Sequence, residues 1–274
     1  MLTQAQLESS LGAPTDSVTV AHDLTKQFGD FTAVDHVNLQ IRAGETFGLL
    51  GPNGAGKSTT IRMLTTLTEP TDGTANVAGY DIRHEAEEVR EKIGLVAEKL
   101  ILYPRLTAME NLMFFGELYS IGRRRLKERA IELLRMVQLE AFKDMPVGGY
   151  SSGMRQRLNI IRGLLHDPEI LFLDEPTALL DPQSVRFVRD LVKELHQDGK
   201  TIILTTHIME EADELSHRIG IMDHGKVIAV DTPTGLKARL GSRTLEEVFL
   251  ELTGRTLRDS ASSSIPMRRV MGRA

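Results

Sequence analysis

The sequence predicts an α/β fold built on a parallel sheet, with a mostly helical segment inserted into it. Three observations lead there. Short apolar, β-rich runs, "EILFLDEP" and "TIILTTH", flank the helical stretch "PQSVRFVRDLVKELHQDGK", which makes a strand–helix–strand unit. Runs of this kind suit strands buried on both faces of a sheet. A Gly-rich turn, "GPNGAGKS", joins the strand-like "TFGLL" to the helical "STTIRMLTTL". Between about Leu106 and Leu165 the apolar spacing is helical, with Leu126, Ala130, Leu133, Leu134 and Val137 on one stripe.

In chain order, residues 1–16 are polar with little periodicity and read as a flexible lead. The runs "SVTVAHDL", "FTAVDHVNLQI" and "ETFGLLG" then alternate with turns as strands, and "GTANVAGYDI" and "KIGLVAE" read as further strands. Near the end, Leu245, Val248, Phe249 and Leu252 keep helical spacing, as in a packed terminal helix. The last stretch, "RDSASSSIPMRRVMGRA", is Ser-rich and basic and reads as a flexible tail. The expected organisation is a lead at 1–16, a main domain at 17–231 with its helical part at about 100–165, a helical extension at 232–254 and a basic tail at 255–274.

Composition narrows the function classes. The 274 residues carry a net charge of −5, so no global basic field argues for nucleic acid. No apolar run approaches the roughly 18–20 residues of a membrane span, and no basic-then-apolar leader opens the chain. There is no cysteine, which excludes disulfides, thiolate zinc sites and a cysteine nucleophile, and agrees with the cytosol.

Gly51, Gly56, Lys57 and Ser58 fit G-x-x-x-x-G-K-[ST]. The pattern sits between a strand and a helix, as a phosphate-binding loop requires. Its glycines let the backbone wrap phosphates and aim N–H groups at them. Lys57 would reach the β- and γ-phosphates, and Ser58 would hold Mg²⁺. The bland alternative is a Gly-rich turn with an exposed lysine.

"ILFLDEP" ends an apolar strand in Asp174 and Glu175. A phosphate-loop enzyme needs a carboxylate for Mg²⁺, which suits Asp174, and Glu175 would then polarise an attacking water as general base. A solvated strand end before a Pro turn is the competing reading. "TIILTTH" ends the next strand in His207, a candidate for contact with the γ-phosphate or the water, or else a capping histidine. The C-terminal edges of parallel strands are where α/β proteins bind ligands, and Gly51, Glu175 and His207 all fall there. A further segment, "YSSGMRQR", reads both as a helix N-cap and as an anion site, because an open helix start offers N–H donors to a phosphate.

Taken together and in this order, these motifs resemble the nucleotide-binding domain of ABC transporter ATPases from about Ser17 to Asp231. The resemblance implies a P-loop NTPase core with an antiparallel β subdomain and an inserted helical subdomain carrying the signature. "GPNGAGKST" looks like Walker A, so Gly51, Pro52, Asn53, Gly54, Ala55, Gly56, Lys57, Ser58 and Thr59 would bind ATP. "ILFLDE" looks like Walker B with the catalytic glutamate, and "LTTH" like the switch histidine. Lys57, Glu175 and His207 would be catalytic, and Ser58, Asp174 and Glu98 would serve Mg²⁺. Phe28 matches the aromatic that stacks on adenine, against the alternative of a core aromatic. "YSSGM" stands where the family carries LSGGQ, so Ser151 and Gly153 would contact a γ-phosphate, and that phosphate would belong to a second copy paired head to tail.

Three departures stand out. Ser152 replaces a glycine and Met154 a glutamine of the signature. Glu98 stands where Gln is usual, and would accept from a Mg²⁺-bound water while adding charge beside the phosphates. The D-loop reads "ALLD", which keeps Asp181 at the nucleotide but puts Leu179 in place of a flexible glycine. Near Glu98, Leu102 and Tyr103 match the region touching membrane-subunit coupling helices, or else pack within the helical insert.

The segments "RIGIMDHGKVIAVDTP" and "TLEEVFLELTGR" are similar to the ATPase subunits of type-2 ABC exporters, including daunorubicin-resistance drug exporters. That likeness implies a separate membrane permease, a second copy of the ATPase, export of a drug or lipid, and a peripheral place on the cytoplasmic face of the membrane. A soluble ABC ATPase acting on ribosomes or nucleic acid is the alternative. Those usually carry two such domains in one chain, whereas one Walker A and one signature occur here, so no nucleic-acid partner is expected. A non-catalytic module is disfavoured by retention of Lys57, Asp174, Glu175 and His207. Arg268, Arg269 and Arg273 in the tail are either solvated or in contact with anionic lipid, and Arg123–Arg125 read as a surface cluster flanking a helix.

Overall fold

The structure, a computed structural model, describes residues 17–254. The lead and the tail, with Arg268, Arg269 and Arg273, lie outside the described residues. Two sheets organise the chain. The first is antiparallel, with strands β1 (Ser17–Phe28), β2 (Phe31–Arg42), β4 (Asp72–Val77) and β5 (Tyr80–Asp81) in the order β2-β1-β4-β5. The second has six strands: β3 (Thr46–Leu50), β6 (Ile93–Val96), β7 (Ile170–Asp174), β8 (Thr201–Thr206), β9 (Arg218–Asp223) and β10 (Lys226–Asp231). Their order is β10-β9-β3-β8-β7-β6, all parallel except β10.

Every residue of β3, β7 and β8 is buried, as continuous apolar runs require when helices cover both faces. Helix α1 (Lys57–Leu64) follows β3, and the seven-residue α2 (Ala86–Lys92) precedes β6. The segment between β6 and β7 is helical: α3 (Ala108–Glu117), α4 (Arg123–Met136), two single-turn 3₁₀ pieces and α5 (Ser152–Gly163). Thr107 and Glu110 close the start of α3 with a reciprocal capping box. Leu126, Ala130, Leu133 and Leu134 bury one face of α4. Full burial of a leucine contributes about 1.5–3 kcal/mol, and these residues share a core with α5 and with α6 (Pro182–Gln197). Arg123–Arg125 are exposed at the start of α4. After β8 come α7 (Met209–Leu215), and after β10 come α8 (Pro233–Leu240) and α9 (Leu245–Thr253). Leu245, Val248 and Phe249 pack α9 onto Ile219, Ile221 and Ala212.

Register decides what meets at the sheet edge. Leu50 pairs with Thr206, and Asp174 with Thr205. The ends of β3, β7 and β8 are therefore level, and the residues that follow them converge.

Candidate active site

The loop after β3 is shaped by backbone demands. Gly56 adopts φ +106°, and a Cβ there would lie 2.5 Å from the Ala33 carbonyl oxygen, so only glycine fits. The Gly51 amide donates to the Thr206 carbonyl at 3.2 Å, and Ala55 closes a turn onto Pro52. Asn53 and Gly54 form the exposed crest of the loop. Helix α1 starts at Lys57, and its first backbone bond runs from Thr60 to Gly56. The amides of Lys57, Ser58 and Thr59 thus lack intrahelical acceptors and point out of the helix start, a donor set that suits phosphate.

Lys57 is buried, and its Nζ donates to the carbonyls of Gly51 at 2.8 Å and Pro52 at 3.2 Å. The same ammonium lies 3.1 Å from Glu175 Oε1. Glu175 Oε2 meets His207 Nδ1 at 2.8 Å. The structure therefore brings Lys57, Glu175 and His207, from three separate elements, into one contiguous cluster. Glu175 itself adopts φ +51°, a conformation costly for a residue with a side chain.

Asp174 is buried beside this cluster. Its Oδ1 accepts from Ser58 Oγ at 2.9 Å and from Thr205 Oγ1 at 2.6 Å. Thr205 Oγ1 also accepts from the Glu175 amide at 3.0 Å. One threonine hydroxyl therefore clamps both acidic residues. Sequence reasoning assigned no role to Thr205. The signal was its place directly before Thr206 and His207 at a buried strand end.

Among the described residues, no group of three or more His, Cys, Asp or Glu side chains is placed to hold a metal ion. Ser58 and Asp174 supply one hydroxyl and one carboxylate. That pair fits Mg²⁺, which keeps several waters and is bound through one or two carboxylates together with substrate phosphates.

Among the described residues, no hydrogen bond or ion pair joins the other expected site residues to this cluster. Glu98 is exposed just beyond β6 and makes no hydrogen bond or ion pair among the described residues. Phe28 is 54% exposed at the end of β1, with Lys26 Nζ 5.3 Å from its ring centre, so it is not a core aromatic. Ser151 caps α5, its Oγ accepting from the Met154 amide at 3.2 Å. Asp181 caps α6, accepting from the Ser184 amide and hydroxyl; these bonds hold its carboxyl below the ordinary range. No hydrogen bond or ion pair joins Ser151 or Gly153 to the phosphate loop of the same chain among the described residues. Leu179 is fully exposed at φ +60°. Leu102 packs against the helical core, whereas Tyr103 is exposed and stands against Phe114 and Phe115.

The family described as "ABC transporter" matches residues 34–178, more than half of the chain. The chain belongs to the ABC transporter family. A linearmycin resistance ATP-binding protein of Bacillus subtilis is 44% identical over 225 residues, which is 82% of this chain and 72% of that protein. A daunorubicin resistance ATP-binding protein of Streptomyces coeruleorubidus is 44% identical over 231 residues, covering 84% of this chain and 72% of its own. Among solved structures, a dimeric ATP-binding cassette in a post-hydrolysis state with ADP and Pi superposes with a TM-score of 0.71. It is 31% identical and covers 78% of this chain and 98% of that one. This ABC ATPase therefore has the cassette fold, with the antiparallel sheet and helical insert expected of it. No helix among its described residues is long and apolar enough to cross a membrane.

Proposed function

We propose that the chain is the ATP-hydrolysing subunit of a drug-resistance exporter. It pairs head to tail with a second copy and drives a separate membrane permease from the cytoplasmic face. The observation that carries the hydrolytic part is the Glu175 carboxylate, held by Lys57 on one oxygen and His207 on the other, beside a helix start open to phosphate. The export part rests on the 44% identity to two resistance proteins.

In this reading the loop from Gly51 to Thr59 cradles the phosphates, and Phe28 stacks on the base. Bound Mg²⁺ supplies charge neutralisation at the phosphates, with Ser58 and Asp174 as its protein ligands and Glu98 acting through a water. Lys57 places its ammonium against the phosphate oxygens. Glu175 accepts the proton of the attacking water at a carboxylate oxygen. His207 keeps that carboxylate oriented by donating from Nδ1. Ser151 and Gly153 meet the phosphate held by the second copy, with Asp181 at the same junction.

Glu175→Gln tests the assignment. The amide cannot accept the water's proton, so turnover falls by about 10²-fold or more, while ATP still binds and dimers accumulate in size-exclusion chromatography. Hydrolysis at the wild-type rate would rule out Glu175 as the base.

A further inference from the structure

Gln156 lies one turn into α5, the helix that Ser151 caps. It is 7% exposed, and its Nε2 donates to the Pro176 carbonyl oxygen at 2.7 Å. That carbonyl belongs to the residue directly after Glu175. A second contact joins the same two segments. A Cβ on Gly153 would lie 2.0 Å from Ser184 Oγ, so the start of α5 rests directly on the start of α6. Ser184 in turn holds Asp181 through its amide at 3.0 Å and its hydroxyl at 2.6 Å. The turn from Glu175 to Asp181 is thus tied to α5 near both of its ends.

We infer that Gln156 is a positioning residue for Glu175, transmitting any displacement at the start of α5 to the carboxylate of its own chain. The inference rests on the reading of Glu175 as general base. Two physical points carry it. The amide and carbonyl are both buried, and a buried polar group left unpaired is costly, so the bond persists when α5 moves. Glu175 also holds a positive φ that its surroundings must impose. Pro176 has no N–H, so its carbonyl is the polar handle through which a neighbour can grip this peptide. A helix is a stiff lever, and a ligand meeting Ser151 or Gly153 pulls on Gln156 within the same helix. In a head-to-tail pair, the phosphate capped by one chain then bears on the base of that same chain, which serves the opposite site.

The test is a double-mutant cycle with Gln156→Met and Glu175→Gln on the full chain, reading kcat and KM for ATP with Mg²⁺. Methionine keeps the unbranched stem and removes the amide. Gln156→Met is expected to lower kcat about tenfold with KM within about twofold. In the Glu175→Gln background the same substitution is expected to change the residual rate by less than about twofold, because both act through one group. An equal loss in both backgrounds, a loss through KM alone, or no loss would overturn the inference. Should Gln156→Met not fold, Gln156→Leu also removes the amide without burying a charge and carries the same expectations. A wild-type rate in Glu175→Gln alone would instead overturn the general-base reading, so the two failures are distinguishable.

Discussion

Lys57 and Glu175 hold each other across the site. Lys57 Nζ lies 3.1 Å from Glu175 Oε1, and the two side chains are 5% and 9% exposed. The group proposed to bind phosphate and the group proposed to activate water are therefore partners. Two loop carbonyls share the ammonium, so Lys57 can exchange the carboxylate for a phosphate oxygen without becoming unpaired. An exchange of that kind would release one Glu175 oxygen for the water. Under the proposed roles, this ion pair would couple phosphate engagement to base activation.

Lys57→Ala removes the charge-assisted phosphate contacts and the partner of Glu175. Such contacts contribute about 1.5–3 kcal/mol, so ATP affinity is expected to fall roughly ten- to hundredfold. Isothermal titration measures this directly. Unchanged affinity would refute the assigned phosphate site.

Thr205→Val keeps the shape of the side chain and removes the hydroxyl that bonds Asp174 and the Glu175 amide. Leaving buried groups unsatisfied costs about 1–3 kcal/mol. The urea midpoint is expected to drop accordingly, and the Mg²⁺ concentration for half-maximal ATPase activity to rise. A variant as stable and active as the wild type would show that the clamp is dispensable.

Glu98→Gln removes an exposed charge beyond β6. If Glu98 faces the bound phosphates through a water, the KM for ATP is expected to fall by a few-fold, in line with about 0.2–1 kcal/mol for an exposed charge pair. Identical kinetics would make Glu98 a spectator.

His166 supplies a pH prediction. Its ring stacks on Tyr119 at 3.8 Å and its Nε2 bonds the Ile93 carbonyl. Burial pushes this imidazole below its ordinary value of 6.5, although the carbonyl bond opposes the shift. A lowered folded pKa means that the unfolded chain binds the proton first. The stabilisation is complete above pH 6.5 and is lost as pH falls from there through the folded value. Denaturation curves between pH 7 and 5 should show a smaller loss for His166→Asn than for the wild type. Equal slopes would refute the assignment.

Much of the cassette was legible locally. The loop from Gly51 to Ser58 is contiguous, so its G-x-x-x-x-G-K-S pattern between a strand and a helix could be read from the chain alone as a phosphate turn. Helix α6 was legible in the stretch "PQSVRFVRDLVKELHQDGK", and the structure adds its Asp181 cap, Pro182 in the first turn and the buried face of Val188, Leu191, Val192 and Leu195. Helix α2 escaped notice because its seven residues bury only Val89 and present no stripe.

The sequence by itself determined which chemical groups are present and that Gly51, Glu175 and His207 fall at the C-terminal edges of strands; that these strands are neighbours came from the sheet order. Only the tertiary structure decided who touches whom. Thr205 reaches Asp174 because β7 and β8 pair with Asp174 opposite Thr205, and a slip of one residue would turn that hydroxyl to the other face. Phe28 is exposed rather than buried because it ends β1 at a hairpin tip. Gln156 meets Pro176 only because α5 packs beside the end of β7. Spacing along the chain encodes backbone geometry, whereas register and packing arise from burying whole surfaces at once.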